Sequence, residues 1–582
     1  MKQSSLMQNV VGGSYESDVR MAGCSVSMNL YAEEVEGNEG QYYTSALRSV
    51  DGESTANLGS DAPADGCRGL ILASDGYVYG MFGSGLYKIG MDASGAYSCE
   101  KLCTISDSDA SSRVSFAETG GINSHVVWVN GSDACLWSYP LYPSKDDALG
   151  VTYPVSYPTP VRVYVSEGQI QSATTFSEIE DENVVPAHVC CINGSIIIDD
   201  PEADTWYYTD AYMIGGTNST RNIYVLDDEG NVQYEEDSSY EVLTEDVSLT
   251  SLDSTSGTAY LWLDRYSKPI YQTAEYSADK VTQMVVCGDY FYVFGAHSLQ
   301  IYAQTTYTDA YGYSNMSFSS TGRSVRGIGC EIGDTVSTIN GTCIFLGSSS
   351  DGARGVWYSQ GSAPTRISTS AMEREWQGET MSGSYSLAWH ENGHTFYALT
   401  VPSMDKTYVF DMATQQWHSR STRSSKGRDC AWWPEYAVSL GNVTHLAGSG
   451  FAGLAYMDKD KFSDYLGNPI VKRRTCPILI SDYSPFIIND IQLLWNTGTT
   501  TDRNDTTNSK NPVVMLEVSR DGGNTYGSAM FGRGGKTGQY GYRTIWRGIG
   551  RGTLMVLRFT ISDMVKVVIT GAKFAYSTLS RF

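Results

Sequence analysis

The stretch "GLILASDGYVYGMFGSGLYKIG", residues 69–90, indicates most clearly how this chain folds. Apolar and polar residues alternate on both sides of Asp75-Gly76, and the alternation resumes after a Gly-Ser-Gly turn at 83–85. An Asp-Gly dipeptide between alternating segments is the strongest short signal of a β-hairpin, because both residues of the favoured turn need positive φ. The stretch therefore predicts three short antiparallel strands joined by two tight turns.

The same plan of strand, tight turn and strand recurs along the chain. The related stretches are 69–90, 125–139, 189–210, 284–305, 335–360 and 384–420. Their irregular spacing indicates insertions between the units. Repeated meanders are typical of propeller blades, which hide sheet edges by radial packing, and a set of β-sandwiches is the alternative. One helix is predicted, at 368–377.

The composition supports an all-β chain and excludes several function classes. Its 582 residues include 59 glycines and 41 tyrosines, which suit turns and half-buried sheets. The net charge of −25 is opposite to that of a general nucleic-acid binder. Twelve cysteines without a C-x-x-C pair predict buried, reduced thiols and no zinc site. No apolar signal segment or run of 18 apolar residues occurs, so we expect no membrane span.

The last hundred residues differ from the rest. From about residue 477 the strands become longer and the turns fewer, which suits a β-sandwich, and a polar loop at 497–511 interrupts them. Residues 522–562 hold six bases and no acid, which predicts either a solvated strand face or a docking surface for an acidic partner. The candidate docking residues are Arg533, Lys536, Arg543, Arg547 and Arg551; the sixth base is Arg558.

An insertion at 211–270 carries the opposite charge. Residues 227–246 hold nine acids and no base. A solvated loop or arm is one interpretation, and a cation site or a negatively charged pore lining or tip is the other. The candidates for an acidic lumen or tip are Asp227, Asp228, Glu229, Glu235, Glu236 and Asp237.

Residues 390–394, His-Glu-Asn-Gly-His, fit the zinc-protease pattern H-E-x-x-H. In a zinc protease both histidines lie on one face of a helix, so that they bind one metal ion. Here both flanks alternate with period two, and Asn392-Gly393 predicts a type I′ turn between strands. We therefore expect the two histidines to face each other across the turn, with Glu391 within it, and we predict no metal site and no catalytic residue.

Two other motifs suggest enzymes but are incomplete. "SRDGGNTY", residues 519–526, fits the Asp-box of sialidase propellers, which is a hairpin turn in which Ser519 and Asp521 can bind turn amides. The sequence offers no arginine cluster or catalytic pair for a sialidase. "GRGGKTG", residues 532–538, fails as a phosphate-binding loop because Met530 stands where the first glycine is required.

Several segments, taken in order, resemble the packaged-DNA stabilization proteins, or tail hubs (nozzles), of short-tailed bacteriophages. The resemblance begins with an Asn-Leu-Tyr segment within 13–34 and covers most of the chain. It departs from the family by insertions around 140–180, 211–270 and 497–511. The later segments that carry it are "KTYVFDMATQQWHSR" (406–420), "GLAYMDKDKFSDYLGNPIVKRRTCPIL" (453–479), "LEVSRDGGNTYG" (516–527) and "RTIWRGIGRGTLMVLRFTISD" (543–563).

The resemblance implies a non-enzymatic virion protein without a cofactor, assembled in the bacterial cytoplasm. Such hubs form a hexameric ring below the portal and its adaptor ring, retain the packaged DNA, conduct it out and carry tail fibres or spikes. The expected fold is all-β, with a β-propeller-like core at 51–476 and a C-terminal β-sandwich platform at 477–582 that residues 1–50 join. A receptor-binding or glycan-binding propeller is the alternative function, ahead of a zinc protease.

Overall fold

The computed structural model consists almost entirely of β-strands, which confirms the predicted fold class. Within its described residues one α-helix occurs, α1 (Ser370–Trp376), at the predicted place; the Thr369 side chain caps it by accepting the Met372 N–H. No helix in this part of the chain is long and apolar enough to cross a membrane. The structure describes residues 3–8, 10–35, 44–105, 108–120, 124–133, 135–141, 159–166, 181–183, 185–208, 220–223, 243–246, 259–261, 271–273, 279–308, 314–349, 352–481, 483–498 and 511–578.

The first six strands precede the propeller in sequence but belong to two different parts of the fold. They are β1 (Gln3–Gln8), β2 (Tyr15–Glu16), β3 (Cys24–Met28), β4 (Leu30–Val35), β5 (Thr44–Ser49) and β6 (Gly52–Thr55).

Blades I to III follow in chain order. Blade I contains β7 (Cys67–Leu72), β8 (Val78–Phe82), β9 (Gly85–Met91) and β10 (Tyr97–Thr104). Blade II contains β11 (Ser115–Glu118), β12 (His125–Val129), β13 (Cys135–Pro140), β14 (Thr159–Ser166) and β15 (Asp181–Asn183). Blade III contains β16 (Val189–Ile192), β17 (Ser195–Asp199), β18 (Thr205–Tyr208) and, after an insertion, β22 (Tyr271–Thr273). The insertion contains β19 (Thr220–Ile223) and β20 (Leu243–Asp246), which pair with each other, and β21 (Ala259–Leu261), which pairs with β14 of blade II.

Blades IV to VII complete the ring. Blade IV contains β23 (Val281–Cys287), β24 (Tyr290–Gly295), β25 (Ser298–Thr308), β26 (Ser314–Ser320) and β27 (Val325–Arg326). Blade V contains β28 (Ile328–Gly329), β29 (Ser337–Ile339), β30 (Thr342–Ser349), β31 (Arg354–Ser359) and β32 (Thr365–Arg366). Blade VI contains β33 (Tyr385–Glu391), β34 (His394–Val401), β35 (Lys406–Asp411), β36 (Gln416–Arg423) and β37 (Asp429–Ala431), and blade VII contains β38 (Tyr436–Leu440), β39 (Val443–Gly448), β40 (Phe451–Asp458) and β6.

The seven blades of the described chain form a closed ring. The innermost strands contact one another in the order β7, β11, β16, β23, β29, β33 and β38, and β38 contacts β7 again. The outer strand of blade VII is β6, which pairs antiparallel with β40 from Thr55↔Ala455 to Gly52↔Asp458. A strand from before the first blade thus completes the last one.

Arg113 joins blades across the axis of the propeller. Its guanidinium lies 3.0 Å from the Glu435 carboxylate and 3.4 Å from that of Asp334, which precede the inner strands of blades VII and V. The same guanidinium lies over the rings of Tyr385 and Tyr436, 5.1 Å and 5.4 Å from their centres. Arg113 precedes the first strand of blade II, and its half-buried guanidinium therefore connects blade II with blades V, VI and VII.

The C-terminal strands form a two-layer sandwich, as predicted. One sheet has the order β4-β5-β48-β43-β46, with β1 beside β48, and the other contains β3-β41-β47-β44-β45. Their shared core includes Leu30, Leu47, Ile491, Phe559 and Phe574. The C-terminal strands are β41 (Lys472–Thr475), β42 (Leu479–Ile480), β43 (Phe486–Trp495), β44 (Val513–Ser519), β45 (Met530–Arg533), β46 (Thr544–Gly552), β47 (Leu554–Ile561) and β48 (Val568–Thr578).

The second sheet of the sandwich continues into the propeller. β3 lies between β36 of blade VI and β41, pairing in parallel at Met28↔Ser419 and antiparallel from Val26↔Thr475 to Met28↔Arg473. One twelve-stranded sheet therefore contains blade VI and half of the sandwich. We propose that the sandwich unit comprises residues 1–50 and begins again with β41.

Asn29 connects the sandwich to the propeller at this point. It is 2% exposed, has φ 55°, and donates its side-chain N–H groups to Val471 O at 2.8 Å and Ser421 Oγ at 3.0 Å. Its Oδ1 accepts the Ser421 N–H at 2.9 Å. The next two residues pack into different cores, Leu30 into the sandwich and Tyr31 into the core between blades VI and VII.

We expect Asn29→Ala to lower the free energy of unfolding by on the order of 3 kcal/mol. The change leaves the buried partners of the Asn29 side chain without hydrogen bonds, and alanine tolerates a positive φ less well than asparagine. Asn29→Gly should cost less, because glycine tolerates that φ. Asn340→Ala, in an exposed turn with φ 50°, tests the φ cost alone. Urea unfolding followed by tryptophan fluorescence measures all three, and equal losses for Asn29→Ala and Asn340→Ala would contradict the role of the hydrogen bonds.

Candidate functional site

The zinc-protease pattern lies on a β-hairpin, as predicted. Asn392 and Gly393 have φ of 50° and 84°, which is a type I′ turn between β33 and β34. The predicted placement of Glu391 and of the histidine pair is wrong. Glu391 is the last residue of β33 and pairs with His394, whereas His390 pairs with Thr395, because a two-residue turn pairs the residues on its two sides.

The two histidines therefore have separate surroundings. His390 is exposed and its Nδ1 lies 3.0 Å from Thr395 Oγ1. His394 is 8% exposed, and its Nδ1 lies 2.8 Å from Asp411 Oδ2, a hydrogen bond that raises the pKa of His394. No group of three His, Cys, Asp or Glu side chains in the described chain could hold a metal ion. The hairpin thus lacks the single helical face that H-E-x-x-H chemistry needs.

Glu391 forms a buried ion pair instead. It pairs with Arg420, both side chains being 3% exposed, and also accepts the Trp389 indole N–H at 3.2 Å and the Asp51 N–H at 3.1 Å. The Arg420 guanidinium lies 4.7 Å and 4.9 Å from the ring centres of Trp389 and Trp432. This arrangement joins blades VI and VII and offers no group placed for catalysis.

We expect Arg420→Met to lower the free energy of unfolding by about 3–5 kcal/mol, because it leaves the buried Glu391 carboxylate without its cation. The double variant Glu391→Leu/Arg420→Met should recover most of that loss, since it removes both charges. His390→Ala, an exposed change at the residue before Glu391, should stay within about 0.5 kcal/mol of the parent. A double variant no more stable than Arg420→Met in urea unfolding would refute the ion-pair account.

Lys472 is a second buried ionisable side chain, in β41 of the sandwich. It is 1% exposed, and its Nζ donates to the Asp563 backbone oxygen at 3.2 Å. Burial lowers the pKa of Lys472 to about 7. Between that value and the unfolded pKa of about 10.4, the folded state binds fewer protons than the unfolded state, so this group makes stability rise with pH.

We therefore expect Lys472→Met to stabilise the protein by on the order of 3 kcal/mol at neutral pH, with the gain shrinking as the pH approaches about 10. Urea unfolding of the variant and the parent at several pH values measures the difference between their free energies of unfolding. The other titrating groups are the same in both proteins, so their contributions cancel. The exposed Lys573→Met in the same sandwich is the control, expected within about 0.5 kcal/mol of the parent. A gain that does not change with pH would count against the buried neutral lysine.

All five predicted docking residues of the sandwich are exposed: Arg533, Lys536, Arg543, Arg547 and Arg551. Among the described residues, none of the five forms an ion pair. Arg558 differs, because it pairs with Glu517 and lies 3.7 Å over the Tyr526 ring. Five cations without a counter-ion in the described part of the chain, on a protein of net charge −25, make this end of the sandwich the candidate functional surface.

The structure divides these bases between two neighbouring surfaces. Arg547 and Arg551 lie on β46, opposite Asp490 and Ile487, and we call them the basic sheet face. Arg533 ends β45 in the other sheet. The Thr544 hydroxyl donates to the Arg533 carbonyl at 2.8 Å, which brings Arg543, the residue before Thr544, close to Arg533.

Sequence reasoning missed the exposed aromatic residues beside these bases. Phe531 is 71% exposed, Tyr540 74% and Tyr542 40%. The signal was present in the glycine-rich run "FGRGGKTGQYGYR" at 531–543, where aromatic residues cannot all turn inward from a short loop. We call Phe531, Arg533, Lys536, Tyr540, Tyr542 and Arg543 the basic aromatic edge.

The predicted acidic lumen or tip lies outside the described residues. Asp227, Asp228, Glu229, Glu235, Glu236 and Asp237 all fall between β19 and β20. The register Ile223↔Leu243 of these two strands brings the ends of that connection together. The role of the six acids stays a prediction.

The Asp-box is a turn, as predicted. The Ser519 hydroxyl donates to Asp521 Oδ1 at 2.6 Å, and Asp521 accepts the backbone N–H groups of Asn524 and Thr525. These hydrogen bonds, that from Ser519 first, hold the pKa of Asp521 well below its usual range. The motif therefore fixes the loop between β44 and β45 and presents no catalytic group.

A cleft of about 570 Å³ separates blade VI from the sandwich. Its lining includes Glu16, Lys406, Arg473 and Arg558. Two ion pairs connect the propeller with the sandwich unit beside it, Arg374–Asp18 at 3.1 Å and Asp429–Arg473 at 2.9 Å. The cleft is a feature of the junction between the two units.

Comparison with protein families matches the propeller and the sandwich to the two domains of one phage protein. The model of the bacteriophage P22 Gp10 β-propeller matches residues 255–444, and that of the Gp10 β-sandwich matches 473–577. Together they cover just over half of the chain. The chain belongs to the bacteriophage P22 Gp10 family. It is a Gp10-like structural protein of a phage tail. Blades I and II, strands β16 to β18 of blade III, and β40 and β6 of blade VII lie outside the residues that the propeller model matches.

Other comparisons add little. No curated protein matches the chain. Among solved structures, it is similar to the extracellular domain of a putative one-component system from B. thetaiotaomicron (9% identity, 77% of this chain and 45% of that one, TM-score 0.32). It is also similar to a streptogramin B lyase (8%, 70% and 97%, 0.33) and to the N-terminal domain of Nup159 (10%, 74% and 98%, 0.32). The chain spans less than half of the first structure, and TM-scores this low support no inference about function.

Proposed function

We propose that this Gp10-like protein is the hub, or nozzle, of a short phage tail. It attaches below the portal and its adaptor ring as a hexameric ring, retains the packaged DNA and forms the channel for its ejection. The observation that carries the attachment is the set of five exposed bases on the sandwich of a strongly acidic chain, which form no ion pair with any residue that the structure describes. The protein acts by binding and enclosure and not by catalysis.

The basic sheet face, Arg547 and Arg551, is the surface that we assign to the adaptor ring. Arginine is enriched in protein interfaces, and complementary charge steers two surfaces into register before contact. Both arginines lie on a paired strand of the sandwich, so they are held on a rigid element. An acidic surface on the adaptor would complement them.

The charge of the rest of the chain suits a passage for DNA. A net charge of −25 repels the phosphate backbone, and repulsion lets DNA pass without adsorbing to the wall. Tail fibres or spikes would attach through the family's variable insertions, of which 211–270 is the largest here. DNA contact in this proposal is transient and independent of sequence.

We expect Arg547→Glu plus Arg551→Glu to leave the monomer folded and to abolish attachment to the portal–adaptor complex, because the change replaces two attractive charges by two repulsive ones. Co-sedimentation with purified portal–adaptor complexes, followed by negative-stain imaging, measures attachment. Lys426→Glu plus Arg428→Glu, on an exposed propeller loop, is the control with the same charge change. Attachment of the Arg547/Arg551 variant at the parent level would refute the assignment.

A further inference from the structure

The basic aromatic edge has the composition of a protein interface. Phe531 and Tyr540 are each more than two-thirds exposed, and Arg533, Lys536 and Arg543 stand beside them without an ion pair in the described chain. Soluble chains rarely expose large aromatic side chains together, and aromatic residues and arginine are enriched where proteins bind each other. The edge therefore fits a partner that supplies acids.

The loop that carries these residues is fixed in place. The Gly534 N–H donates to Pro512 O at 2.7 Å, the Gly538 N–H donates to Gly498 O at 2.9 Å, and the Thr497 hydroxyl donates to Gln539 O at 3.1 Å. Two neighbouring segments, at Thr497-Gly498 and at Pro512, thus hold the loop while its aromatic side chains are exposed to solvent. Aromatic residues on a preorganised loop lose little entropy on binding, which favours an interface.

The outer edge of β45 offers side chains to a partner and not a free edge to which a strand could be added. The backbone oxygens of Met530 and Arg533, on β45, already accept hydrogen bonds from Trp546 Nε1 at 3.0 Å and from the Thr544 hydroxyl at 2.8 Å. Because β46 covers these acceptors, the outer edge of β45 is not free to pair with a further strand. Charge and aromatic contact are what the edge offers.

One segment of the same chain has the matching charge. Residues 227–246, the acidic connection, hold nine acids and no Lys, Arg or His, together with Tyr234 and Tyr240. The pairing of β19 with β20, from Thr220↔Asp246 to Ile223↔Leu243, brings the two ends of the segment 224–242 together. Acids and tyrosines are the complement of the bases and aromatic residues on the edge.

The strands that bracket the insertion and the strand that carries the basic aromatic edge belong to different parts of one copy. β45 is five strands beyond β36 of blade VI, about 24 Å at the usual spacing of neighbouring strands. The insertion that contains the acidic connection leaves blade III after β18 and rejoins it at β22. Blades IV and V separate blade III from blade VI on one side, and blades II, I and VII do so on the other. Contact between two different surfaces of identical copies is head to tail, and such contacts form a ring when the rotation from copy to copy closes.

We propose that the acidic connection of one copy docks on the basic aromatic edge of the next copy. The inference rests on the proposed function in one respect, that several copies assemble side by side. It deepens that function by naming the contact between copies, and it leaves the basic sheet face to the adaptor.

Photo-cross-linking of the purified full-length protein tests the contact between copies. The variant Tyr540→p-benzoylphenylalanine is prepared with natural isotopes and with nitrogen-15, and the two preparations are mixed before irradiation. Trypsin releases 222–265 as a single peptide, because no Lys or Arg lies between Arg221 and Arg265. We expect cross-links from position 540 to this peptide in mixed-isotope pairs, and none from the same substitution at the exposed Tyr483.

Charge reversal provides an independent arm. Arg533→Glu/Lys536→Glu/Arg543→Glu, added to the photoreactive variant, should lower the cross-link yield by on the order of tenfold. Combining it with Glu235→Lys/Glu236→Lys/Asp237→Lys should restore the yield, and that rescue excludes misfolding as the cause. Arg547→Glu/Arg551→Glu should not change it.

Several outcomes would overturn the proposal: cross-links within single-isotope chains only, links to other peptides, no links, or a loss that the opposite charges do not rescue. The experiment contains no portal or adaptor protein, so its result is separate from that of the attachment test. A cross-link without attachment keeps the contact between copies and rejects the adaptor assignment. Attachment without a cross-link supports the adaptor assignment and rejects the contact between copies.

Discussion

The fold depends on β3 lying between two units that would otherwise be separate. Its parallel partner is β36 of blade VI and its antiparallel partner is β41 of the sandwich, so main-chain hydrogen bonds run across the boundary. At its end, the left-handed Asn29 turns the chain and sends Leu30 and Tyr31 into two different cores. Propeller and sandwich are therefore joined as one sheet, and this join sets how the basic surfaces are placed relative to the blades.

Local features of this fold could be predicted from the sequence because short-range chemistry decides them. Asn392-Gly393 forms a type I′ turn since both residues accept positive φ, and Thr369 begins the helix by capping it. Register at the turn was predicted less well. The sequence predicts that the two histidines face each other across the turn, but the two-residue turn pairs Glu391 with His394. A turn one residue longer or shorter would change which residues pair, so the register depends on the exact length of the turn.

Long-range features could not be predicted for the opposite reason. Nothing near Gly52–Thr55 in the sequence indicates that this strand completes a blade whose other strands begin at Tyr436. The same holds for the surfaces. Arg558 looks like the other bases in the sequence, yet it pairs with Glu517 and lies over the Tyr526 ring. Only the glycine-rich run around Phe531 and Tyr540 indicates that these two aromatic residues are exposed.

The position of β6 also has a consequence for biosynthesis. A ribosome makes residues 52–55 early, but their pairing partners at 455–458 emerge only after all seven blades have been translated. The early strand must stay unpaired for most of synthesis, and closing so long a loop is a slow, entropically costly step. Ring closure is thus a checkpoint that only chains extending to residue 458 can pass, and a chain that terminates earlier retains an unpaired sheet edge.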